Sequence, residues 1–140
     1  MARVRVKVVR QNSRHDSAIK DYTDDMRRLV GRAANLVRNT AVDSIQRGVK
    51  SGVIYTRGGK TSQRSAAGEP PATDTGYLVN NIFTNIDTDG LGASVESRAN
   101  YSSFLEFGTS QMAARPFMQP ALEENKPRIR RLEREMVKFK

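Results

Sequence analysis

The chain has 140 residues, with 24 Lys and Arg against 15 Asp and Glu, a net charge of +9 and no cysteine. Hydrophobic residues make up 37% with few aromatics and no Trp, so a single domain with a mainly aliphatic core is expected over residues 1–140. The missing cysteines exclude a disulfide framework, a Cys-based zinc site and a thiol nucleophile, and no apolar run approaches the roughly 20 residues of a membrane span, so no membrane contact is expected.

Residues 3–10 read as a strand. Val4, Val6 and Val8 fall on one face and Arg3, Arg5 and Lys7 on the other. So much outward charge suits a sheet edge, where charge discourages unwanted pairing. The same alternation lacks the unbroken apolar segment of a signal peptide.

A long amphipathic helix is predicted from about Ser17 to Gln46. Ile19, Tyr22, Met26, Leu29, Val30, Ala33, Leu36, Val37, Ala41 and Ile45 recur at three- and four-residue steps. Asp16 is the expected N-cap and Gly48 the stop. At about 1.5 Å per residue the helix would span roughly 45 Å. That is long for one small domain, so a face meeting another chain is expected.

Residues 49–73 carry Gly52, Gly58, Gly59, Gly68, Pro70 and Pro71 and read as a flexible loop that orders against a neighbour. Within it, Val53–Arg57 and Lys60–Arg64 can pair around Gly58-Gly59, a dipeptide suited to a tight turn. Arg57, Lys60 and Arg64 lie on this hairpin.

Asp74-Thr75-Gly76-Tyr77-Leu78 opens a short helix with Asp74 as its expected cap. Ile82–Asp87 and Leu91–Ser97 then read as a hairpin turning at Asp89-Gly90. Ile82, Thr84 and Ile86 share one face, as do Leu91, Ala93 and Val95. Ala99–Phe107 is a further short helix, ended by Gly108, with Phe104 and Phe107 expected to anchor it in the core.

The last helix is predicted from about Pro116 to Phe139. Met118, Leu122, Asn125, Ile129, Leu132, Met136 and Phe139 form a heptad stripe suited to packing on the first helix. Pro127 should kink or break it. Arg115 stands at its N-terminus, where a cation is unfavourable unless compensated. A Glu106–Arg115 ion pair closing the intervening loop is therefore expected.

These elements predict an α+β fold. A small antiparallel sheet, made of the β-hairpin and the N-terminal strand, packs against a long N-terminal helix and a C-terminal helix.

No catalytic constellation is visible, so no enzyme, metal or cofactor is expected. Gly59-Lys60-Thr61 matches the end of a phosphate-binding loop, but Ile54 stands where its first Gly belongs. His15 is the sole histidine, and Asp24-Asp25 and Glu123-Glu124 are helix neighbours pointing about 100° apart.

Three blocks carry a resemblance: Gly68-Glu69-Pro70-Pro71-Ala72-Thr73-Asp74-Thr75-Gly76-Tyr77-Leu78, then Tyr101 to Thr109 with Glu106-Phe107-Gly108-Thr109, then Ala114-Arg115-Pro116-Phe117-Met118-Gln119-Pro120-Ala121. In this order and spacing they resemble the neck or tail-completion proteins of long-tailed bacteriophages, also labelled head–tail joining or minor tail components. The resemblance spans about residues 15–135 and implies motif roles for Asp74, Gly76, Leu78, Tyr101, Phe104, Glu106, Phe107, Gly108, Arg115, Pro116 and Phe117. Pro127 and the strongly basic N-terminal strand depart from the family pattern.

The resemblance implies a structural virion subunit that forms a homo-oligomeric ring, expected to be a hexamer, between the head connector and the tail. It implies assembly in the host cytoplasm and an axial channel for DNA; the basic charge is expected to meet acidic surfaces on neighbouring rings, with non-specific contact to double-stranded DNA in the channel as the alternative. Arg57, Lys60, Arg64 and Glu69 are the expected partner contacts. A tail terminator ring protein, a basic nucleic-acid-binding protein and a small toxin-like nuclease are the alternatives.

Overall fold

The structure is a computed structural model and describes residues 2–7 and 16–138. The expected strand end at Val8–Arg10, His15 and Phe139 lie outside the described residues, as does the side chain of Asp16. Asp16 is itself the first helical residue rather than the residue before the helix.

Alternation of Val and basic residues builds β1 (Ala2–Lys7), whose Ala2 and Val4 are buried while Arg3, Arg5 and Lys7 are exposed. It pairs antiparallel with β5 (Gly92–Ser97), which pairs on its other side with β4 (Ile82–Ile86), giving the order β1-β5-β4. The register places Val4 opposite Val95 and Val95 opposite Thr84, so one face of the sheet is apolar. That face meets α1 (Asp16–Arg47), through Val30, Ala34, Val37 and Ala41. The fold is the α+β arrangement expected, with β1 at an edge.

The helix α1 has 32 residues and so spans about 48 Å. Its C-terminal carbonyl at Ser44 accepts the Gly48 amide at 3.0 Å and the Lys50 ammonium at 3.1 Å, and Gly48 leaves no room for a side chain there. Two arginines fasten α1 to the sheet: Arg38 Nε donates to the Ile82 carbonyl at 3.0 Å and Arg27 Nε to the Asp89 carbonyl at 2.9 Å.

The second face of the sheet is polar. Arg3 and Arg98 approach Glu96 at 3.9 and 3.1 Å, and Arg5 pairs with Asp87. Arg98 also lies over the Phe83 ring at 4.5 Å. The basic edge strand is thus largely neutralised by its own hairpin. Glu96 is held below the usual carboxylate value, first by the Asn85 side chain and then by Arg98.

Two further strands, β2 (Ile54–Arg57) and β3 (Lys60–Gln63), form a separate hairpin inside the 49–73 segment. Gly58 and Gly59 take φ of 59° and 77°, the left-handed pair a two-residue hairpin turn demands. Short helices α2 (Tyr77–Asn80) and α3 (Ser102–Phe107) follow.

The final helix, α4 (Met118–Lys138), runs antiparallel to α1 and buries Met118, Ala121 and Asn125. Asn125 Nδ2 donates to Thr40 Oγ1 and to the Ala121 carbonyl, both at 2.8 Å, joining the two helices through a polar contact. The expected break at Pro127 does not occur: helical structure continues through it. Its ring lies on an exposed face, so the missing N–H leaves a carbonyl that water can reach.

Ile82 and Ile86 lie on one face of β4, yet they are 1% and 56% exposed. Ile82→Ala should cost about 2–5 kcal/mol. Ile86→Ala should change stability by no more than about 0.5 kcal/mol. Denaturant unfolding measures both, and equal losses would contradict this burial.

Candidate assembly surface

The chain enters α3 from β5 and leaves it at Gly108. The helix has two unlike faces. Its inward residues are polar: Ser102 is fully buried, with Oγ accepting the Ala2 amide at 3.3 Å, and Glu106 is buried. Its outward residues are aromatic: Phe104 is 56% and Phe107 78% exposed. The expectation that these rings anchor the helix in the core is therefore corrected. The half-buried Leu105 is the apolar residue of α3 that packs against the core.

The reason is Glu106. Its Oε2 accepts the amides of Phe117 and Met118 at 2.9 and 3.0 Å, and its Oε1 accepts the amide of Gln119 at 2.8 Å. These are among the donors that a helix start leaves without an intrahelical acceptor. A carboxylate there also meets the positive end of the α4 dipole. Ser102 and Glu106 are four residues apart and share one face of α3, so Phe104 and Phe107, about 160° and about 100° round from Glu106, fall on the other.

The expected Glu106–Arg115 ion pair is likewise corrected. Among the described residues no ion pair joins the two, because backbone amides saturate the carboxylate. Arg115 acts instead as a strut. Its amide donates to the Leu105 carbonyl at 2.6 Å and its Nε to the Ser65 carbonyl at 3.3 Å. Pro116 lies before the first turn of α4, and Phe117 is buried at its start.

The three sequence blocks therefore meet at one junction. The Gly68 amide donates to the Ala114 carbonyl at 2.9 Å, tying the first block to the third, and Glu106 ties the second to the third. Tyr77 of the first block and Tyr101 of the second stand with ring centroids 6.1 Å apart. Leu78 is buried beneath them. Gly108 has φ 74°, and a side chain there would press on the Met112 carbonyl and the Ala114 amide, so the position requires Gly.

Asp74 does not cap α2. Gly76 is the N-cap residue and no side chain fills the role, while Asp74 pairs with Arg57 at 3.4 Å on the surface. The cap fails because Thr75 and Gly76 intervene between Asp74 and the first helical residue, Tyr77.

The basic residues divide. Arg57 and Lys60 oppose each other beside the hairpin turn, both exposed. Arg64 lies at the hairpin base over the Tyr55 ring, at 5.1 Å. Tyr55, Arg64, Leu78, Tyr101 and Arg115 share a cleft of about 270 Å³ between hairpin and body. Burial, and secondarily Tyr77, raises the Tyr101 hydroxyl above its ordinary value, so it stays neutral.

Glu69 has an internal task. Its Oε2 accepts the amides of Ser51 and Ala66 at 2.9 and 2.8 Å, and Oε1 accepts the Ser51 hydroxyl. It thereby closes the 51–69 segment at its base. Sequence reasoning missed the tasks of Glu69, Ser102 and Ser65. Each acts over a span that no local motif marks.

The exposed surface thus holds Tyr77, Tyr101, Phe104 and Phe107 beside a basic hairpin, with Val49, Val53 and Ile54 also exposed. No group of acidic, His or Cys side chains suited to a metal occurs among the described residues, and no helix there is long and apolar enough to cross a membrane. No protein-family model, curated protein or solved structure matches this chain.

The Glu69 carboxyl is held below its ordinary value, first by the Ser51 hydroxyl and then by the Ala66 and Ser51 amides. A lowered carboxyl stabilises the folded arrangement above its ordinary value, about 4.3, and that contribution is lost as pH falls through the lowered value. Amide exchange at Ser51 and Ala66, corrected for intrinsic rates, should be steady from about pH 8 to 5 and accelerate below about pH 4. Glu69→Gln should remove this pH dependence; retention of it in the variant would contradict the assignment.

Proposed function

We propose that the chain is a structural subunit of a long-tailed bacteriophage, placed between the head connector and the tail, where it works as one member of a ring. The observation that carries the reading is the inverted polarity of α3, which buries Ser102 and Glu106 and turns Phe104 and Phe107 outward. Contiguous exposed aromatic groups mark a surface meant to be covered. The resemblance of the three blocks supplies the class of assembly, and their convergence at one junction gives those residues a shared physical purpose.

A ring closes through a heterologous contact in which two different patches meet. The aromatic stripe of α3 with Tyr77 is one patch. The hairpin, bearing Val53, Ile54, Arg57 and Lys60, is the other, reaching the neighbouring subunit. In this reading Glu106 is a positioning residue: it orients the rings and sets the start of α4. The subunit acts by geometry, offering one surface to the head side and another to the tail side around a DNA channel. Catalysis has no part in it.

Phe104→Ser combined with Phe107→Ser should leave the thermal midpoint nearly unchanged, because both rings already face water. It should weaken association between subunits by about 10–100-fold. Arg57→Ala, Lys60→Ala and Arg64→Ala together should lower the yield of tailed, infective particles in a complementation assay. Unchanged association of the Phe variant together with a normal particle yield from the basic triple variant would contradict the proposal.

A further inference from the structure

A second feature lies away from α3, along the antiparallel pair α1 and α4. Past the Asn125–Thr40 contact the two helices border a groove of about 480 Å³, lined by Leu36 and Leu132 and by Arg32, Arg128 and Arg131. It continues into a second depression of about 550 Å³ that shares Arg32 and Leu132 and adds Leu29 and Met136. Asp25 and Glu135 also border that second part, with Arg28 beside them.

Charge and shape point to one kind of occupant. Arg32, Arg128 and Arg131 have no acidic partner among the described residues, although Arg27, Arg28 and Lys126 on the same helices do. The groove runs from Asn39 to Asp25 on α1, a length of about 21 Å, which is that of a helix of about 14 residues. A leucine lining rewards apolar side chains and gives nothing to a phosphate backbone. The chain's own net charge of +9 disfavours a second copy as the source of acidic groups.

We infer that the α1–α4 groove receives an amphipathic helix of a different protein, one whose apolar stripe is flanked by Asp or Glu. The leucines bind the stripe and the three arginines pair with the flanking carboxylates. This deepens the joining reading by naming the chemistry of a neighbour. It concerns a separate face, so its failure leaves the α3 surface untouched.

Fluorescence anisotropy with the full chain tests it, using as probe a labelled synthetic helix of about 14 residues with Leu on one face and Glu on its flanks. The wild type should bind this peptide and not a scrambled peptide of equal composition. Arg32→Glu, Arg128→Glu and Arg131→Glu together should weaken binding by about tenfold or more, whereas Phe104→Ser should leave it unchanged. If circular dichroism shows that the triple charge reversal does not fold, the triple Arg→Gln variant replaces it. Equal binding of the scrambled peptide, indifference to the arginine variants, or displacement of the peptide by a short DNA duplex would each overturn the proposal.

Discussion

The Glu106 carboxylate is the constraint on which the junction depends. Three backbone amides at the start of α4 converge on it, from a residue on a different helix. Leaving those amides unpaired inside the protein would cost about 1–3 kcal/mol for each buried group. Removing the carboxylate's partners would strand a buried charge, which costs more. Neither side can be changed alone, so α3 and α4 are locked in one relative placement. Arg115, through the Leu105 and Ser65 carbonyls, and Gly68, through the Ala114 carbonyl, brace the same corner.

The outward turn of the aromatics follows from that lock. A six-residue helix that must aim Glu106 and Ser102 inward has little inward surface left for Phe104 and Phe107. In an isolated subunit those rings lose the benefit of burial, on the order of 1.5–3 kcal/mol for a large apolar side chain. Contact with another chain would recover it. The surface charge has a comparable logic. Much of the basic charge on β1 is answered by Glu96 and Asp87 and Arg57 is answered by Asp74, whereas Lys60 at the hairpin tip and the arginines of the α1–α4 groove have no acidic partner among the described residues.

The long elements were legible because their periodicity is strong. The apolar steps of α1, the alternation of β1 and the glycine-marked hairpins were all readable from residue spacing, and the structure has them within a few residues. The Gly58-Gly59 turn was legible for a stronger reason, since few residues other than Gly take left-handed angles twice in succession. The site was less legible. Phe104 and Phe107 were read as core because apolar side chains usually go inward, a rule that a buried polar anchor on the same short helix reverses. Glu106 was singled out by sequence, but its partner was misjudged. A capping carboxylate is normally sought within the helix it serves, and this one precedes Phe117 by 11 residues. Opposite charge made Arg115 the obvious partner, yet backbone amides took the carboxylate.

Backbone hydrogen exchange at Phe117, Met118 and Gln119 tests the Glu106 lock most directly. First-turn amides of a helix ordinarily exchange fast, because they have no acceptor within it. Here all three should be protected nearly as well as the buried β5 amides, and Glu106→Ala should release them together. Rapid exchange of these three amides in the unaltered protein would contradict the account.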